Sequence, residues 1–140
     1  MGRKFAVITA VLIVSVLSSA YSMSVDEELE LLKNITPDQV DEGMRIMAQR
    51  AAENLPMQID SQTVMFAAMY TKFNKTLSYQ ARASVDLGQE QKEFLVENAK
   101  AMFCNSKINR FWVSKGVTFR YMLHMPSGRF DYSYDRNSCR

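Results

Sequence analysis

The chain has 140 residues, 47% of them hydrophobic, with 17 lysines and arginines against 15 acids, one histidine and two cysteines. Arg3 and Lys4 carry the whole formal charge of +2, so the rest is near neutral and has no electrostatic case for nucleic acid, whose binding rests on many phosphate contacts. A single histidine, His124, removes multi-histidine metal sites and most catalytic schemes built on an imidazole base.

In chain order, Arg3 and Lys4 precede an apolar run over residues 5–17, followed by Ser18-Ser19-Ala20-Tyr21-Ser22. A short positive region, an apolar stretch of this length and small residues at alternate positions predict a secretory signal over residues 1–22, cleaved after Ala20 or Ser22. No cysteine stands at the junction, which argues against a lipid anchor there. Membrane contact is expected only through this segment if it stays uncleaved. Residues 23–140 are then expected to form a single α+β domain of ordinary size.

Ser24-Val25-Asp26-Glu27 has capping-box form and opens a short acidic helix through about residue 33. Thr36-Pro37-Asp38-Gln39 is a stronger start: a threonine cap, proline at the first helical position and glutamine at the third. From it Val40, Met44, Met47, Ala51 and Leu55 recur at helical spacing until Pro56. Residues 63–72 and 76–85 read as a first hairpin about Phe73-Asn74-Lys75, the second strand alternating strictly. Residues 89–105 are helical, a further turn or two follows from Lys107, and Gly116 ends it in the C′ role. Residues 117–125 and 129–135 form a closing hairpin about Pro126-Ser127-Gly128, with Val117, Phe119, Tyr121, Leu123 and Met125 on one face. The order is α-α-β-β-α-β-β, predicting a four-stranded antiparallel sheet with helices packed on one face.

Two cysteines in an exported chain most simply form one disulfide, Cys104 to Cys139, contributing roughly 3–4 kcal/mol by loop closure. Two free thiols and an intermolecular bridge are the alternatives. The late pattern, carried by Leu55, Pro56, Asp60, Thr63, Tyr79, Cys104, Gly116, Tyr121, Gly128 and Cys139, resembles small exported proteins of proteobacteria that mostly lack an assigned activity. That resemblance implies an envelope location and little about chemistry.

Chemistry-bearing constellations are sparse. No serine stands in a G-x-S-x-G elbow, nothing sets a nucleophile beside His124, and no cofactor motif occurs, so neither an enzyme nor a cofactor is expected. Among ten methionines, Met44 and Met47, Met65 and Met69, and Met122 and Met125 around His124 resemble soft ligands for Cu(I). Methionine also fills core gaps, and the helix stripe and strand alternation favour that role. Asn34-Ile35-Thr36 and Asn74-Lys75-Thr76 match the glycosylation sequon.

The most informative anomaly is residues 64–70, apolar on both faces of a strand whose sheet should have one polar face. Either Met65, Ala67 and Met69, or Val64, Phe66 and Tyr70, must lie opposite the helices, beside Arg82, Arg120 and His124. An apolar strip flanked by basic residues suggests a partner surface, of which Met65, Met69, Arg82, Arg120, Met122 and His124 are the expected contacts. The competing reading has the acidic helix over residues 24–33 covering the strip. The function expected is a non-catalytic module binding another envelope protein, of inhibitor, immunity or secretion-accessory type. The alternatives are a periplasmic carrier of Cu(I) or a small molecule, a small secreted hydrolase and a host-secreted glycoprotein.

Overall fold

A computed structural model describes residues 24–140; the expected signal segment, residues 1–22, lies outside the described residues. Among the described residues no helix is long and apolar enough to cross a membrane. The elements are α1 (Val25–Leu32), α2 (Pro37–Glu53), β1 (Met57–Asp60), β2 (Thr63–Thr71), β3 (Thr76–Ala83), α3 (Gln89–Asn105), α4 (Lys107–Ser114), β4 (Thr118–Met125) and β5 (Gly128–Tyr134).

Local chemistry sets most of the boundaries. Thr36 Oγ1 accepts from Gln39 N at 3.3 Å while Gln39 Oε1 accepts from Thr36 N at 2.9 Å, the reciprocal box that starts α2. Gly43, a weak helix former, leaves room for a neighbour: a Cβ there would lie 3.4 Å from Trp112. One helical turn at Lys72–Asn74 and Lys75 at φ 51 reverse the chain between β2 and β3. Gly116 at φ +91 ends α4 with its N–H on the Val113 carbonyl, conformational freedom that a side chain would make costly.

The sheet departs from the expectation in two ways. It has five strands, in the order β1-β2-β3-β4-β5, and it is mixed, because β3 and β4 run parallel. The four-stranded antiparallel sheet is therefore corrected. The extra strand, β1, has four residues and lies at an edge, too short to show a period of its own. The parallel pair follows from the connection: two helices separate β3 from β4, and a long helical crossover returns the chain in the same direction.

The helices pack on one face of the sheet. Val40, Met44 and Met47 from α2, Phe103 from α3 and Trp112 from α4 join Met65, Leu77, Tyr79, Phe119, Tyr121 and Tyr134 of the strands in one buried cluster. Aromatic rings run across it: Phe103 lies 5.1 Å from both Phe119 and Tyr134, and Tyr121 stacks on Tyr79 and Tyr132. Polar groups tie the layers together. Tyr70 donates to Asp41 of α2 at 2.5 Å, and Tyr134 donates to the Val96 carbonyl of α3 at 2.8 Å. Cys104, at the end of α3, is bonded to Cys139 beyond β5, Cα to Cα 5.4 Å, as expected.

Helix α1 belongs to the same side. Leu29 and Leu32 pack against the core, and Asp26 pairs with Lys107 of α4 at 3.1 Å. The reading in which this acidic helix covers the apolar strip is overturned.

Candidate functional site

The face opposite the helices is assembled by strand register. Partners across the ladders share a face, so Val64 joins Arg82, and Met69 joins Ser78, while Gln80 and Arg82 of β3 stand beside Met122 and His124 of β4. Strand β5 adds Arg129, Asp131 and Ser133 opposite His124, Met122 and Arg120.

A bulge in β2 explains the two-sided apolar stretch. The register shifts between Met65 and Ala67, so the strict alternation fails there. Met65 points to the helices and is 2% exposed. Phe66 lies on the open face, 5.5 Å from the His124 ring, with the Arg82 guanidinium 5.0 Å above its centroid. Neither alternative set in the sequence reading is correct as a set: the open face takes Val64, Phe66, Ala67 and Met69, and the helix side takes Met65, Ala68 and Tyr70.

Of the expected contacts, Met69, Arg82, Arg120, Met122 and His124 share this face, and Met65 does not. Met69 is 53% exposed, the apolar high point of the strip. Met122, at 8%, lies between the positions of Gln80 and Asp131 and contributes little surface. The His124 Nε2 atom lies 3.0 Å from Gln80 Oε1, which fixes the ring beside Phe66. Asp131 holds two guanidiniums, Arg120 on Oδ2 and Arg129 on Oδ1 at 2.9 Å. Phe66 and Arg129 were absent from the expected contacts. Strand pairing brings Arg129 in, and the bulge sets Phe66 on the same face as Met69.

A second concavity lies on the helix side. It is a cavity of about 50 Å³ lined by Met65, Tyr79, Ala81, Leu95, Tyr121 and Tyr132. Burial pushes the hydroxyls of Tyr79, Tyr121 and Tyr132 well above the ordinary tyrosine range, because the phenolate would lose its hydration there. The methionines proposed as soft ligands are divided: Met44 and Met47 are buried on the inner side of α2 in the core, away from the open face. Among the described residues no cluster of three or more histidine, cysteine, aspartate or glutamate side chains is arranged to hold a metal ion.

No protein-family model matches the sequence, and no curated protein matches it. Solved structures do share the fold. The chain is similar to EpsS, the pilotin of the type 2 secretion system of Vibrio vulnificus, at TM-score 0.60 and 15% identity, covering 74% of this chain and 94% of that one. It is similar to the type II secretion system pilotin AspS of Vibrio cholerae at TM-score 0.55 and 17% identity, over 74% and 94% of the two chains. A Pseudomonas aeruginosa protein described as secreted matches at TM-score 0.58 and 12% identity, over 76% and 98%. At these identities the likeness speaks for the fold, and it agrees with the resemblance to exported proteobacterial proteins.

Proposed function

We propose that the chain is a non-catalytic, exported accessory protein of a secretion or envelope assembly, pilotin-like in role, that works by binding another envelope protein. The observation that carries this reading is the fold shared over 94% of the length of two type II secretion pilotins. A neutral, exported domain with a disulfide clamp suits residence in an oxidising envelope compartment. The docking surface in this reading is the open sheet face, with Met69, Arg82, Arg120 and His124 in contact and Met122 and Met65 supporting it from within and beneath.

Crosslinking in the envelope of the parent organism, followed by mass spectrometry, tests it. One envelope protein is expected to be recovered by the parent chain and lost with the Arg82→Glu/Arg120→Glu double variant. Recovery of the same protein by both chains contradicts the surface; recovery of none contradicts the role.

A second reading, carriage of a small apolar molecule, draws on the cavity beneath α3. Native mass spectrometry of the chain taken directly from the envelope separates the two: a carrier arrives with ligand mass, and a docking module does not.

A further inference from the structure

The charges on the open face do not balance. Three arginines, Arg82, Arg120 and Arg129, occupy its ladder positions, with His124 among them, and Asp131 is the one carboxylate at those positions. Asp131 already takes both Arg120 and Arg129. Arg82 forms no ion pair among the described residues; its guanidinium lies over Phe66 instead, with its fork of donors turned to no acid. The cations run alongside an apolar rail, Val64, Phe66, Ala67 and Met69, whose outermost member is half exposed. Central positions on the same face are small or uncharged, Ser78 and Gln80, which leaves a shallow floor between rail and arginines.

We infer that this face recognises an acidic segment of its partner, in which carboxylates flank an apolar side chain. The inference rests on the docking role proposed above and names the chemistry of the partner. The apolar side chain lies on Phe66 and Met69. One carboxylate takes the free fork of Arg82 in bidentate fashion, and another competes with Asp131 for Arg120 and Arg129. Asp131 thereby acts as an internal placeholder that keeps the arginines extended and sets how tightly an acidic partner is held.

The test uses two short peptides of equal length and equal leucine and phenylalanine content, one with glutamates at the flanking positions and one with lysines. Binding to the purified exported chain is followed by nuclear magnetic resonance titration. The glutamate peptide is expected to bind at least tenfold more tightly than the lysine peptide, with shifts concentrated at Phe66, Met69, Arg82 and His124, and to weaken as salt is raised. Arg82→Glu is expected to abolish the preference while the melting temperature stays near that of the parent. Asp131→Asn, which releases Arg120 and Arg129, is expected to tighten the glutamate peptide several-fold, a gain that no loss of folding can imitate. Equal binding of the two peptides, binding of neither, shifts confined to the cavity side at Ala81 and Leu95, or weaker binding by Asp131→Asn each overturns the inference. If the peptides fail while the envelope crosslink still depends on the open face, the docking role stands and only the acidic chemistry falls.

Discussion

The two faces of one sheet are built to opposite rules. On the helix side, Leu77, Tyr79, Phe119, Tyr121 and Tyr134 are each 8% exposed or less and pack beneath the helices, with Tyr79 stacked on Tyr121 and Phe119 edge-on to Phe103. On the open side, the same strands present Ser78, Gln80, Arg82, Arg120 and His124, with only the bulged β2 contributing an apolar rail. The strands and ladders are common to both, so backbone pairing cannot account for the contrast. The helix side carries the stability of the fold through burial, and the open side is left free to be shaped for recognition. Substitutions should therefore divide by face, large in stability on one and small on the other.

Base provides the largest separation. Burial holds the Tyr79 and Tyr121 hydroxyls well above their ordinary value, so the folded state keeps protons that the unfolded chain releases. A raised folded pKa means that this stability is fully present below about pH 10 and is lost as the pH rises above it, by about 1.4 kcal/mol per pH unit for each tyrosine. Urea titrations at increasing pH are expected to show that decline, with the tyrosinate absorbance appearing only on unfolding. A flat stability through this range contradicts the buried-aromatic account.

Truncating the helix side comes next. Phe119→Ala removes a ring 1% exposed and 5.1 Å from Phe103, and is expected to cost about 3–5 kcal/mol by urea denaturation. Cys104→Ser opens a 35-residue loop and is expected to cost about 3–4 kcal/mol under oxidising conditions, visible as a fall in melting temperature on the order of 10 °C. Reductant should bring the parent to the same temperature, and equal melting of the parent and the variant would remove the disulfide from the account.

The open face supplies the smallest effects. Arg82→Ala loses only its contact with Phe66, expected at about 0.5–1 kcal/mol, and Met69→Ser is expected to change stability by less than about 0.5 kcal/mol. If either equals the cost of Phe119→Ala, the open face is part of the core and the contrast collapses.

How far the sequence revealed this depended on range. Local chemistry was legible: the Thr36 box, the Gly116 stop, the alternation of β3 and β4 and the Cys104–Cys139 pair all appear as expected. Alternation alone was enough to bring Arg82, Arg120 and His124 to one face, because it holds whether neighbouring strands run parallel or antiparallel. Three features were not read. Strand β1 is too short to show a period, and the helical connection between β3 and β4 already implied a parallel pair that the hairpin reading passed over. The bulge mattered most for the site, since one extra residue in β2 leaves both Phe66 and Ala67 on the open face and so separates Met69 from Met65, against strict alternation. A residue added to one strand of a ladder leaves no mark in composition or period until its partner strand is known.

The most direct test of the central claim is site-specific photocrosslinking in the living envelope. A photoreactive phenylalanine analogue replaces Met69 on the open face in one chain and Ile46 on the outer side of α2, 37% exposed, in another. A single crosslinked envelope protein is expected from position 69 and none from position 46. Capture from position 46 alone would move the partner to the helix side and contradict the division of labour between the two faces.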